Sequence, residues 1–319
     1  LEKGAEIVKE TNKRVAELLG INAAARTTCV KPSGNASVLL GTASGIHAEH
    51  SEQYIRNIQL NKDSEVAQLI AKTNPNMVED SVWSANGTDF VVSFPITPKQ
   101  GSILKDKLIG TDHLDLVAKA QKHWVNTGKN PELCADPTVS HNVSNTILVE
   151  DWDDVAEYVY SNRDNFAGIS FLSTSGDKDF NQAPNTEVLD AEKMVEKYGV
   201  AAVLASGLVV DGLQAFDDLW MGCMTAQGYG EDISAESSKN TLKKDWVRRF
   251  TAFADKYLEG NLKKTEYCLK DAYLVHKWEK IKRSYTQVEW ISELSEKKFT
   301  DVDTLGAAAC AGGACEIDF

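Results

Sequence analysis

The chain has 319 residues, a formal net charge of −13 and six cysteines. That length buries a large core and fits two domains or one large α/β domain. The acidic balance argues against nucleic acid or an anionic membrane surface as the main partner, leaving room only for a local basic pocket. No run approaches the ~18 apolar residues that span a bilayer. The opening Leu1-Glu-Lys-Gly-Ala-Glu-Ile-Val is charged and reads as helix rather than as a signal peptide. Six cysteines in so long a chain are not a secreted disulfide framework, so Cys29, Cys134, Cys223 and Cys268 read as reduced, buried thiols and the chain as cytoplasmic. The first residue is Leu, in a helix already under way, which leads us to expect the C-terminal part of a longer chain.

In chain order the elements alternate. Ala5 to Leu19 is an amphipathic helix with Ile7, Val8, Val15, Leu18 and Leu19 on its apolar side, ended by Gly20. Arg26 to Val30 is a short β-branched strand, followed by the loop Lys31-Pro-Ser-Gly-Asn-Ala-Ser37, which opens a helix. Ser64 caps a helix to Thr73, Asp89 to Pro95 is a strand, and Asp112 to Thr127 is a helix carrying Leu116, Val117, Ala120 and Trp124. Val143 to Val149 is a strand, Asp151 caps a helix through Arg163, and Gly168 to Leu172 is another strand. This alternation predicts an α/β fold. Beyond Ser173 the pattern loosens. It gives a helix over Glu187 to Tyr198, a mixed stretch from Ala201 to Gly230, and a helix over Lys243 to Leu258 whose Trp246, Phe250, Phe253 and Tyr257 read as ordinary core. An aromatic, basic helix over Tyr267 to Arg283 follows. The expected organisation is 1–175, 176–300 (mainly helical) and a flexible tail at 301–319.

Three segments carry chemistry. In the loop, Gly34 allows a close turn, Ser33 and Ser37 offer hydroxyls, and successive N–H groups at a helix start form an anion nest beside Lys31. The alternative is an ordinary Pro-Ser-Gly turn; the spacing of a Walker loop is missing. Next, Gly41-Thr-Ala-Ser-Gly-Ile-His47-Ala-Glu-His50 sets two histidines at i, i+3. That spacing suits either a metal or packed, hydrogen-bonded side chains. Finally, Cys310-Ala-Gly-Gly-Ala-Cys315 lies close to the C-terminus. Two thiols separated by small residues can close as a disulfide and exchange with another, as a thiol shuttle requires. The alternative is an Ala/Gly-rich end with two incidental cysteines.

Thr27-Thr-Cys-Val-Lys-Pro-Ser-Gly-Asn-Ala-Ser37, Gly45-Ile-His47 and Tyr54-Ile-Arg56 together resemble the phosphate-binding region of adenosylcobalamin-dependent (class II) ribonucleotide reductases. Asn35 stands where that family typically has Thr. Val143 to Ile147, Asn162 to Leu172 and the tail cysteine pair resemble further segments of the family, in the same order. The resemblance implies the C-terminal part of a ten-stranded α/β barrel, with a helical region and a redox tail. It implies a reaction in which adenosylcobalamin generates a radical that converts an active-site cysteine to a thiyl. The thiyl takes the ribose 3′ hydrogen, the 2′-hydroxyl leaves as water and a dithiol supplies two electrons. Carried onto this chain, Ser33, Gly34, Asn35, Ala36 and Ser37 would hold the substrate phosphates. Cys310 and Cys315 would reduce the active-site disulfide and be reduced in turn by thioredoxin. His47 is a weaker candidate for a place near the substrate or corrin.

The family's thiyl cysteine lies in Asn-Pro-Cys-Gly-Glu. The Asn-Pro pairs here are Asn74-Pro75-Asn76 and Asn130-Pro131-Glu132, neither followed by Cys. The radical cysteine, its acid/base Glu and the active-site dithiol are therefore expected on another portion or subunit, making this chain a fragment or one half of a split enzyme. The alternative is a non-catalytic thiol-carrier or phosphate-binding subunit serving a reductase. An adjacent segment encoding Asn-Pro-Cys-Gly-Glu would favour the first reading.

Overall fold

A computed structural model describes residues 1–174, 182–211 and 248–290. Its mixture of helix and strand is of the α/β kind, as the alternation predicts. Two compact units emerge, one formed by Leu1–Glu52 with Ile96–Phe180, the other by Gln53–Pro95 with Asn181–Phe319. Residues 53–95, inside the first of the expected segments, thus pack with the second unit.

In the first unit, helix α1 (Glu2–Leu19) ends at Gly20, whose φ of 67° gives the left-handed cap that glycine adopts without strain. Its buried residues are Ala5 and Ala16, not the apolar stripe: Ile7 is 54% and Leu18 77% exposed. The small side is the packed one because the helix approaches Trp124 closely; a Cβ on Gly4 would stand 3.3 Å from that ring. The segment 26–30 is tied down only at its ends, by an antiparallel bridge from Arg26 to Lys129 and a parallel one from Val30 to Val143. Helix α2 (Asn35–Leu40) follows the loop.

The core of this unit is the cluster Leu114, Val117, Ala120, Val125, Val143, Ile147, Val149 and Val155. Helix α4 (Gly110–Ala120), continued by a π turn over Gln121–Asn126, supplies half of it. Strand β4 (Ile147–Val149), helix α5 (Trp152–Ser161) and strand β5 (Phe171–Ser173) form a βαβ unit with parallel strands. Asp151 caps α5, accepting from the Asp153 and Asp154 amides. Hydrogen bonds leave the segment around β4 on opposite sides: Ser144 N–H donates to Val30 C=O (2.9 Å) and Ile147 N–H to Ser170 C=O (2.8 Å). The residues after Val143 therefore run between the 26–30 segment and β5, all parallel.

The second unit holds a four-stranded sheet in the order β2-β3-β1-β6, made of β1 (Tyr54–Asn61), β2 (Val78–Asp80), β3 (Asp89–Ile96) and β6 (Asn185–Glu187). Strands β2 and β3 pair antiparallel, as do β1 and β6. Helix α3 (Glu65–Thr73) starts where Ser64 accepts from the Ala67 amide, as expected. The helix expected from Glu187 begins only at Ala191 (α6, Ala191–Tyr198). Asn185 to Glu187 instead pair with β1, and Asp190 accepts from Lys193 N–H to cap the helix. Helices α7 (Val200–Asp211) and α8 (Leu262–Ser284) complete the described elements together with a helix over residues 248–257. Phe253 and Leu258 are buried with Met194, Tyr198, Cys268 and Leu269, and Phe250 and Tyr257 pack against them. These aromatic residues are core, as their spacing predicts; Trp246 lies outside the described residues. Of the cysteines expected to be buried, Cys268 is, while Cys29 is exposed and Cys134 half-buried. Cys223, Cys310 and Cys315 lie outside the described residues.

No described helix is long and apolar enough to cross a membrane.

Candidate functional site

The loop Lys31–Ser37 leaves the 26–30 segment and enters α2. Its turn is made by Gly34 at φ 54°, a left-handed conformation that side chains disfavour. Lys31, Pro32, Ser33, Gly34 and Ala36 are exposed. Ser37 is buried, and its hydroxyl donates to Gly34 C=O at 2.7 Å. Ser33 thus presents a hydroxyl outward, whereas that of Ser37 holds the turn. Ala36 N–H donates to Ser33 C=O at 3.2 Å, closing the first turn of α2.

A second loop, 41–50, braces the first. Ser33 N–H and Gly34 N–H both donate to Ser44 Oγ, at 3.0 and 3.3 Å. Gly45, at φ 62°, lies so close to the first loop that a Cβ there would stand 3.0 Å from Lys31 O. Only glycine suits both the conformation and the approach. His47 holds the turn: its backbone N–H and its Nδ1–H both donate to Ser44 C=O, at 3.1 and 2.9 Å. The loop is anchored at its far end by a parallel bridge between Glu49 and Leu104.

His47 and His50 do not converge. Lys105 Nζ donates to His50 Nδ1 at 3.2 Å, while the His47 ring packs edge-on against His113, with centroids 6.1 Å apart. Among the described residues no group of three or more His, Cys, Asp and Glu side chains could hold a metal ion.

His113 is the residue that sequence reasoning missed. It lies within the apolar face of α4, 3% exposed, and its Nε2–H donates to Ile46 C=O at 3.0 Å. Burial holds its pKa below the usual imidazole value, and the neighbouring His47 acts in the same direction. The folded state therefore binds fewer protons than the unfolded chain as pH falls below about 6.5. This contribution to stability is complete above the unfolded pKa and is lost as pH drops toward the folded one. The melting temperature is expected to fall between pH 7.5 and 5.5, and His113→Gln should flatten that fall. An equal fall in the variant would assign the effect to other groups.

The arrangement as a whole is a bracing system: α4 holds Ile46 through His113, His47 holds Ser44, and Ser44 meets two amides of the first loop. The exposed side carries Ser33 and Lys31, and the Ser33 and Gly34 N–H groups there are taken up by Ser44 Oγ. The Ser33 hydroxyl and the Lys31 ammonium suit an oxyanion such as phosphate.

No protein-family model matches the chain. It is 29% identical over 134 residues to a probable adenosylcobalamin-dependent ribonucleoside-triphosphate reductase of Dictyostelium discoideum, covering 42% of this chain and 17% of that protein. It is 26% identical over 137 residues to the adenosylcobalamin-dependent ribonucleoside-triphosphate reductase of Euglena gracilis, covering 43% and 18%. It is 26% identical over 190 residues to that of Levilactobacillus brevis, covering 58% and 23%. The curated homologues of this chain are adenosylcobalamin-dependent ribonucleoside-triphosphate reductases. The chain spans about a fifth of the length of these relatives. A solved B12-dependent (class II) ribonucleotide reductase is similar with a TM-score of 0.43 and 19% identity, covering 60% of this chain and 26% of that one.

Proposed function

We propose that this chain is the C-terminal portion of an adenosylcobalamin-dependent ribonucleotide reductase, supplying the substrate phosphate loop and the thiol shuttle. The observation that carries the reading is the likeness to three curated reductases that share one cofactor and one reaction in their names. The parallel segments around β4 are, in this reading, part of the ten-stranded barrel.

The roles divide as follows. In this reading Ser33, Gly34 and Asn35 present their amides to the phosphates, with the Ser33 hydroxyl as a further donor, while Ala36, whose N–H donates to Ser33 C=O, and the buried Ser37 hold the turn. His47, in the turn that braces this loop, takes its place beside the substrate rather than the corrin. Cys310 and Cys315 deliver two electrons and two protons per turnover and are themselves reduced by thioredoxin. In this reading the cofactor is assigned to the portion that carries Asn-Pro-Cys-Gly-Glu. Adenosylcobalamin would supply the initiating radical there, and nothing in this chain's share of the work is routed through it.

The test is reconstitution. The 319-residue chain, assayed with adenosylcobalamin, a ribonucleoside triphosphate and a dithiol, should give no deoxynucleotide above background. Adding the portion that carries the thiyl cysteine should give turnover. Product from this chain alone would overturn the division of labour, and no product from the combination would overturn the reductase reading.

A further inference from the structure

We propose that Gln182 is an edge guard: its side-chain amide stands in for a neighbouring strand on β2 and keeps a second copy of this chain from pairing there.

Strand β2 is the outermost strand of the described four-stranded sheet, with β3 on its inner side. Backbone groups alternate at its end as pairing requires. Ser81 N–H donates inward to Asp89 C=O at 3.0 Å, which turns Asp80 C=O and Val82 N–H outward. One side chain takes both. Val82 N–H donates to Gln182 Oε1 at 2.9 Å, and Gln182 Nε2 donates to Asp80 C=O at 2.8 Å. A side-chain amide carries the same donor and acceptor as a peptide group, but it offers no further edge beyond itself. Gln182 holds this place at φ 56°, a left-handed conformation that a residue with a side chain disfavours. Such strain persists where the surroundings over-determine it, and here the two bonds to β2 do so.

What the guard excludes follows from the same two groups. A C=O at residue 80 and an N–H at residue 82, on one side of a strand, are self-complementary. A second copy turned about a two-fold axis beside Ser81 would exchange both bonds in antiparallel register. Acidic charge does not prevent this, because Asp80 is paired with Lys62 at 2.6 Å and Glu79 with Lys277. Val82 and Trp83, exposed just beyond the strand, would add apolar contact. The segment that carries Gln182 is seated without its side chain. Ala183 C=O accepts from Asn57 Nδ2 at 2.7 Å, Pro184 C=O accepts from the Asn57 amide at 2.9 Å, and Ser93 Oγ–H donates to Asn57 Oδ1 at 2.8 Å. Glycine adopts a positive φ without strain, so Gln182→Gly deletes the guard and keeps the turn.

The experiment compares the full chain with Gln182→Gly by sedimentation velocity and by hydrogen exchange at the Val82 amide, each from low to high protein concentration. In the unsubstituted protein the Val82 amide should exchange at one slow rate throughout. In Gln182→Gly it should exchange about tenfold faster in dilute solution, the equivalent of one net hydrogen bond lost, and slow again as dimer forms. Adding Val82→Pro removes the outward N–H at an edge position that tolerates proline, so the double variant should sediment as the unsubstituted protein does. Fast exchange in Gln182→Gly with no dependence on concentration would overturn the guard and leave Gln182 a residue of the turn. So would association that survives Val82→Pro, since it would use another surface. Unchanged exchange at Val82 in Gln182→Gly would overturn the pairing of Gln182 with β2 and the guard with it.

Discussion

Gly128→Ala is expected to destabilise the first unit by about 3 kcal/mol or more, at the upper end of overpacking costs. A Cβ at this position would stand 1.9 Å from Thr28 Oγ1, 2.6 Å from its Cγ2 and 2.8 Å from its Cβ. Thr28 cannot yield easily. It is buried, β-branched and hence stiff at χ1, and its hydroxyl donates to Trp124 C=O at 2.8 Å. Gly128 in turn accepts from both the amide and the hydroxyl of Thr27, at 2.9 and 2.8 Å. Relief thus requires lifting the whole 26–30 segment away from the turn after α4. That segment runs directly into Lys31–Ser37, so the expected damage includes that loop. Urea unfolding gives the size, and hydrogen exchange at the Thr27 amide reports the same event locally. Thr28→Ala in the Gly128→Ala background should recover part of the loss, because two of the three close contacts vanish while the Cβ contact remains. A single variant within 0.5 kcal/mol of the parent would show that the segment is not seated as described.

What could be read from the sequence divides by the range of the interaction. Ser64 and Asp151 were legible as caps because each partner lies two or three residues away. The turn at Lys31–Ser37 was legible for the same reason: Pro32 fixes its own φ, Gly34 allows a positive one, and α2 begins where the loop predicts. The brace was not. Ser44 meets amides ten and eleven residues away, and His113 meets Ile46 across 67 residues. A histidine on an apolar helix face gives no local sign that a carbonyl of another loop awaits it. Strand β1, which lies between β3 and β6 in the sheet, is hard to read because its own sequence lacks clean alternation. Helix α1 shows a different limit. Its spacing gives an apolar side, yet Ile7 and Leu18 on that side are exposed, while Gly4 and the small residues Ala5 and Ala16 make the contacts. Amphipathicity says which face is apolar, not what meets it, and a close approach to Trp124 selects small residues instead.

Replacing Cys310 or Cys315 by Ser in the complete enzyme should abolish turnover driven by thioredoxin and spare turnover driven by a small dithiol. Reduction of an active-site disulfide begins when a thiolate attacks one sulfur, forming a mixed disulfide and releasing the other sulfur as thiolate. A second thiol then attacks the tail sulfur, releasing a fully reduced active site and leaving a tail disulfide. In the proposed shuttle two electrons would move inward, and the tail disulfide would carry the oxidation outward. Nothing bulkier than a methyl group separates the two cysteines in Cys310-Ala-Gly-Gly-Ala-Cys315, so the ring they must close meets no side-chain obstruction. The two variants should differ in a way that simple loss of structure would not reproduce. Without the attacking thiol no adduct forms. Without the resolving thiol the mixed disulfide accumulates and can be seen by mass spectrometry of the unreduced protein. The attacking sulfur must be a thiolate, so iodoacetamide is expected to label it in this chain by itself and in the complete enzyme. Cys268 gives an internal reference: it is buried, and burial pushes its thiol up to about 11, so it should stay unlabelled in both states. A small dithiol reaches the active-site disulfide without the tail, which is why it should restore both variants. Equal loss with thioredoxin and with the small dithiol would remove the shuttle role proposed for Cys310 and Cys315.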